Sequence, residues 1–420
     1  MLGTSKISCE MIKYAQSIGA YTIVADPHTP ENSVAKLIAD EHWEINLANI
    51  DELEKKCKEE CVTGVICGIS EFALKVCMEL GKRLGFPCYC TPEAWHYSED
   101  KEDFKTLCKK LGAPVAKDFY VSPKLKDEEI DQIEFPVVVK PVDQNGNRGV
   151  SYCYNKEQFI EAYKYAKSVS KSDKIIIERM LVGEEWYSSY AICDGEIRLL
   201  ALNAMYSQPG EPKNCYTITS TVSNHVEQYI KEINPYMVEV LKAVGCTNGL
   251  AWVQAMLDKD GKFYIIEMGY RLDGDEMFMP YIDLLNYNVI HELVDLALGK
   301  KPSMETLPPA QEHAFKRCGC GMELWTNKGG VIKEIRGLDV MRKVPGVFVE
   351  SLTKVGDILG QYRSAGNISF TTDTIDEMCE LIDMVNREVA FINEKGEDVV
   401  IKYTNFDYLK QVYKEGLEGK

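Results

Sequence analysis

The dipeptide Asp260-Gly261 separates two alternating, strand-like runs, Trp252 to Asp258 and Lys262 to Glu267. Asp-Gly between such runs is a strong hairpin signal, because glycine reaches positive φ at no steric cost. A hairpin here brings Gln254 and Glu267 close at one end, where their oxygens suit a shared hard cation that also touches phosphates. Arg271 follows just beyond and offers a planar fork for a carboxylate or phosphate.

The first ninety or so residues follow a different rhythm. Helix signals over Glu10 to Ser17, Asp51 to Glu60 and Glu71 to Leu84 alternate with apolar strands at Tyr21 to Ala25 and Val62 to Cys67. Strands separated by helices predict an α/β region built on a doubly wound parallel sheet. Such a sheet normally opens with a buried apolar strand, yet Gly3 comes directly after Met1 and Leu2. Either the start lies upstream or the sheet tolerates the loss. The first is the expectation, since removing a central strand exposes two hydrogen-bonding edges.

Thr91-Pro92 closes that region, and Asp100 to Leu111 reads as a helix ending at Gly112. From the strand Phe135 to Lys140 up to Glu185 the order is strand, loop, strand, helix, strand. Leu298-Gly-Lys-Lys-Pro302 marks a second boundary. Beyond it come short strands over Val331 to Val349 and a final helix, Ile375 to Val389.

The formal charge of -17 disfavours nucleic acid and anionic membranes as partners, because both would be repelled by the average surface. The 15 cysteines form no C-x₂-C…C-x₂-C pattern, so structural zinc is not expected. No apolar run approaches the ~18 residues of a membrane span, and the first residues lack a signal-peptide core. Reduced thiols in a cytoplasmic protein are the expectation.

Phosphate-binding candidates lie elsewhere than in the familiar loops, for the chain has no G-x-x-x-x-G-K-[ST] and no G-x-G-x-x-G after a strand. Lys140 ends an apolar strand, and Gly146 and Gly149 in the following loop let backbone N–H groups turn towards an anion. A second segment, Ile175 to Glu185, is an apolar strand running into a short hinge. Its backbone suits an adenine edge, and Glu185 suits the ribose hydroxyls; alone, it is an amphipathic strand with a turn.

In this order the segments resemble the ATP-grasp superfamily, of the carboxylate-amine ligase type, and the carbamoyl-phosphate synthetase and biotin carboxylase domains in particular. The resemblance implies three regions: an N-terminal α/β domain at 1–92, a two-lobed nucleotide-binding domain at 93–300, and a small, mainly-β C-terminal domain at 301–420. It implies ATP phosphates on Lys101 and Lys140, a closing loop carrying Gly146, Arg148 and Gly149, and adenine on Arg179, Met180 and Leu181 with Glu178 and Glu185 beside them. Gln254 and Glu267 would bind one or two Mg²⁺ ions, or Mn²⁺, and Arg271, Arg148 and Lys140 would serve catalysis. Gly269 departs from the family's usual Glu-x-Asn-x-Arg, so a second ion loses a donor unless water, Asp273 or Asp275 supplies one.

The implied reaction is ATP-dependent activation of a carboxylate as an acyl phosphate, with ADP released and an amine attacking. Small-molecule substrates and a homodimer go with it. Two other readings stay open: a biotin carboxylase-like subunit, which would need a separate carrier because no Met-Lys-Met signal is present, and a non-catalytic ATP sensor, motivated by Gly269 and the missing strand. Replacing Lys140 with alanine is expected to abolish turnover, read as ADP release; an unchanged kcat/KM would refute the phosphate assignment.

Overall fold

Along the strand Val137–Pro141, Val137 and Val139 turn inward while Val138 and Lys140 face a more open side, the period of two that a half-covered sheet requires. The computed structural model describes residues 1–143, 148–172 and 174–419. Around that strand an antiparallel sheet forms in the order Asp118–Phe119, Ile175–Arg179, Val137–Pro141, Ser151–Cys153. The helix Lys156–Val169 starts at Asn155, whose side chain accepts the Gln158 N–H at 3.0 Å. It buries Phe159, Ala162, Tyr163 and Ala166 at helical spacing against the sheet. This small lobe has a hydrophobic core of its own.

The larger body is an eight-stranded antiparallel sheet. From edge to edge it runs Phe263–Gly269, Gly249–Asp258, Gly183–Cys193, Glu196–Ser207, Tyr216–Ser220, Cys318–Trp325, Ser364–Thr372, Phe348–Glu350. Its centre is covered on both faces. Trp186, Tyr190 and Ile192 enter one core with the helix Asn234–Val244, and Tyr187, Ala191 and Cys193 enter another with Phe278, Tyr281 and Leu293. Three strands from beyond residue 301 thus extend the central sheet. Another three, Gly330–Arg336, Ile358–Leu359 and Ala390–Asn393, form a small sheet beside it. The helix Ile375–Glu388 is not the last: Phe406–Leu417 follows, burying Leu409 and Val412.

In the N-terminal region Ile23–Asp26 and Glu41–Glu44 pair in parallel. The central place is held by Leu2, which bridges Ala25 on one side and Cys67 on the other. The Leu2 N–H donates to the Ile66 carbonyl at 2.8 Å and the Gly3 N–H to the Ala25 carbonyl at 2.9 Å. The strand expected over Val62 to Cys67 is reduced to that one bridge, because so short a partner can pair with little more. Among the described residues no helix is long and apolar enough to cross a membrane.

Because the small lobe's core is separate, Phe159→Ala should act locally. Loss of that ring costs about 3–5 kcal/mol. Hydrogen exchange should therefore accelerate in residues 117–179 while the central sheet keeps its protection, and equal acceleration in both would contradict two independent cores.

Candidate functional site

The cleft lies between the small lobe and the edge of the central sheet. Its first wall comes from the helix Lys101–Lys110, capped by Asp100, whose carboxylate accepts the Glu102 and Asp103 N–H groups. Lysines at 101, 105 and 109 recur every four residues and share one face. Lys101 Nζ meets Glu267 at 2.6 Å, Lys105 Nζ meets Glu178 Oε2 at 2.7 Å and also Asp118, and Lys109 pairs with Asp118.

Lys140 joins this network from the small lobe by pairing with the other oxygen of Glu178. Burial alone would raise the Glu178 carboxyl, but Lys140 and Lys105 hold it down to about 2. Burial likewise opposes the Lys140 ammonium, yet Glu178 keeps its pKa above the ordinary lysine value. Glu178, expected beside the nucleotide, therefore lines the cleft as the partner of two lysines. Lys105, 7% exposed, escaped the sequence reading; its four-residue spacing from Lys101 was the signal.

The opposite wall is the hairpin. Gly261 sits at φ +75° in a turn where the Asp258 N–H bonds the Lys262 carbonyl at 3.0 Å. A bulge between Gln254 and Ala255 shifts the pairing by one residue, so that Gln254 stands directly opposite Glu267. Bulges beside active sites re-aim side chains in this way. The Gln254 amide nitrogen donates to Glu185, which leaves its oxygen and the Glu267 carboxylate as hard donors suited to Mg²⁺. Burial raises the Glu185 carboxyl above its usual range against the hydrogen bonds from Tyr216 and Gln254.

Gly269 stands directly opposite Trp252, and a Cβ at 269 would lie 2.3 Å from the indole ring. The space an asparagine would occupy is filled by tryptophan. Trp252 in turn supports the Arg271 guanidinium, 5.4 Å from the ring. Arg271 is anchored further by Glu71, with Nη2 to Oε1 at 2.8 Å. Glu71 is the first residue of the helix Glu71–Leu84, so the N-terminal region supplies one wall of the cleft; nothing in the sequence pointed to this contact.

The hinge is pinned from several sides. The Arg179 N–H donates to the Lys117 carbonyl at 2.8 Å, the Met180 N–H to Pro136 at 3.0 Å, and the Val182 N–H to Asp258 Oδ1 at 2.7 Å. Among the described residues no protein acceptor meets the Leu181 N–H.

Two adjoining cavities, of about 490 and 650 Å³, share Leu181, Glu185 and Tyr216. Lys101, Lys140, Glu178, Arg179, Glu185, Gln254, Glu267 and Arg271 line the first, and Met180 the second. Arg148 is exposed and lines neither. Gly149, at φ +82°, lies against Val169 and Pro141, where a side chain would clash. Gly146 falls outside the described residues. Asp273 is a buried turn residue that accepts the Met277 N–H at 3.0 Å. His291 stacks on Tyr14 and His225 lies edge-on to Trp186, both outside these cavities.

Gly269→Asn should therefore destabilise the protein by about 1–3 kcal/mol through overpacking. Adding Trp252→Ala should recover part of that loss in thermal denaturation, a non-additive pair. Additive losses would show that the ring is not what excludes the side chain.

Residues 100–301 match the family model described as carbamoyl-phosphate synthase L chain, ATP binding domain. The carbamoyl phosphate synthase large chain, C-terminal section, of Methanocaldococcus jannaschii is 28% identical over 237 residues, 56% of this chain and 37% of that protein. Two further carbamoyl phosphate synthase relatives are spanned over 33% and 23% of their lengths. Among solved structures, L-amino acid ligase from Bacillus licheniformis superposes with a TM-score of 0.72 at 18% identity, over 94% of this chain and 98% of that one. The biotin carboxylase domain of Hydrogenobacter thermophilus 2-oxoglutarate carboxylase gives 0.73 at 15%, over 100% and 95%. At such identities the likeness is one of fold. The lysine pair, pinned hinge and acidic hairpin thus fall within residues 100–301, the segment that is similar to the ATP binding domain of the carbamoyl-phosphate synthase L chain.

Proposed function

We propose that the protein is an ADP-forming ligase that uses ATP and Mg²⁺ to activate a small-molecule carboxylate as an acyl phosphate, which an amine then attacks. The observation that carries this reading is a single cavity of about 490 Å³ lined by Lys140 from the small lobe, by Gln254 and Glu267 from the hairpin, and by Arg271 beyond them. Cations gather where a phosphoryl group develops charge, hard oxygen donors stand opposite, and a guanidinium fork waits at the next position for the carboxylate.

In this scheme Lys101 and Lys140 exchange their carboxylate partners, Glu267 and Glu178, for ATP phosphates. Arg148 reaches the same phosphates from its loop. Met180 and Leu181 hold adenine by their backbone, and Glu185 accepts from the ribose. Gln254 and Glu267 would hold Mg²⁺, which would supply charge neutralisation on the transferring phosphoryl group. Arg271 fixes the substrate carboxylate so that its oxygen attacks the γ-phosphorus and ADP leaves. The amine then attacks the acyl carbon and expels phosphate, with no covalent nucleophile from the protein. The small lobe shields the acyl phosphate from water.

The reading includes a division of the chain at residues 92 and 300. It also includes a cytoplasmic setting, supported by fifteen unpaired cysteines of which fourteen are at least partly buried. A homodimer is the assembly to test first, as the structure of the Hydrogenobacter biotin carboxylase domain is that of a dimer. Incubation with ATP, Mg²⁺ and a carboxylate panel in hydroxylamine should yield a hydroxamate with one ADP per turnover. Release of AMP would sink the acyl-phosphate mechanism.

A further inference from the structure

Tryptophan is scarce in this chain, with 5 in 420 residues, yet Trp95, Trp252 and Trp325 all line the cavity of about 490 Å³ that Lys140, Gln254 and Arg271 share. They converge from separate elements: the helix Pro92–Glu99, the hairpin strand Gly249–Asp258 and the end of the strand Cys318–Trp325. Trp252 supports Arg271, whereas Trp95 and Trp325 make no nucleotide contact in the scheme above. Ladder pairing between Cys318–Trp325 and Tyr216–Ser220 ends at Met322 and Ile218. Beyond that point the Trp325 indole N–H donates to the Tyr216 carbonyl at 2.9 Å, in place of a backbone donor.

That bond fixes the half-buried Trp325 ring at the cavity wall and uses its one donor. What the ring still offers a ligand is apolar surface. Trp95 is 3% exposed, so it closes the wall rather than projecting from it. The indole N–H groups of Trp95 and Trp252 have no hydrogen-bond partner among the described residues. Indole donates and does not accept, so both groups favour an anion over an ammonium beside Arg271. Glu71 and Asp275 are the carboxylates at this end, the first paired with Arg271 at 2.8 Å and the second accepting from Thr219 Oγ1 at 2.8 Å. Bicarbonate or formate would satisfy the guanidinium and leave the indole surface facing water, where apolar area is costly. A flat or branched hydrocarbon group joined to the carboxylate covers it.

We propose that the carboxylate substrate carries an apolar substituent, aromatic or branched, which packs on Trp325 beside Trp95 while Arg271 holds the carboxylate. Trp325 is then the residue that sets specificity for the acid. The use made of the bound acid rests on the ligase reading; the binding itself does not.

Thermal denaturation of the full chain, with Mg²⁺ and ADP present at constant ionic strength, reads binding without turnover, because a ligand of the folded state raises Tm with concentration. The probes are sodium acetate, 3-methylbutanoate and 3-phenylpropanoate, with neutral 3-phenylpropanamide to separate the carboxylate from the ring. The expected order of apparent affinity is 3-phenylpropanoate, 3-methylbutanoate, acetate, spanning at least tenfold, with the amide at least tenfold weaker than its acid. In Trp325→Ala the ratio of 3-phenylpropanoate to acetate affinity should fall at least fivefold, and Trp325→Phe, which keeps a flat ring, should retain most of it. Acetate binding as tightly as 3-phenylpropanoate in the parent protein, or no response to any acid, overturns the proposal even if Trp325→Ala does not fold. A ratio unchanged in that variant overturns it as well, and so does an amide equal to its acid, since the ring would then bind away from Arg271. Hydroxamate formation is read separately: hydroxamate without preference among the three acids removes the aromatic subsite and leaves the ligase, and the affinity order without hydroxamate or ADP does the reverse.

Discussion

Glu178 is held between Lys140, from the small lobe, and Lys105, from the helix that leads into it, and the geometry of the cleft depends on that clamp. A buried ion pair adds little net stability, but loss of one partner strands a charge at a cost of about 3–5 kcal/mol. The clamp therefore works chiefly as a positional device. It fixes a lysine ammonium at the end of a strand, in a place where the free side chain would sample many rotamers, and it keeps that ammonium protonated despite burial. Lys101 is held in the same way by Glu267.

What could be read in the sequence was what short-range pattern encodes. The two-residue period of Val137 to Lys140 and the Asp260-Gly261 turn brought Lys140, Gln254 and Glu267 to facing walls of one cavity. Two features escaped because they depend on long loops closing. The Lys105 contact with Glu178 spans 73 residues and the Arg271 contact with Glu71 spans 200. The late helix Phe406–Leu417 had an ordinary local signal, with Leu409 and Val412 three residues apart, and was simply not drawn from it.

The Gly269 departure shows how local sequence and register combine. Read alone, glycine at this position is a missing metal donor. Counted across the hairpin, the residue opposite Gly269 is Trp252, and the ring takes the volume that a side chain would need. The exchange couples two positions: a small residue permits the tryptophan, and the tryptophan supports the arginine. In the proposed scheme Gln254 and Glu267 are thereby left as the facing metal donors, and the cleft gains an aromatic floor.

The contact between Glu71 and Arg271 joins the beginning of the chain to the residue proposed to hold the substrate carboxylate. Modular exchange among proteins of this fold would cut through it. A graft of residues 100–301 onto another amino-terminal partner would carry the arginine but leave its counter-ion behind, freeing the guanidinium to swing or to seek a different carboxylate. The orientation of Arg271 is thus a shared property of two regions, and the pair must be inherited together.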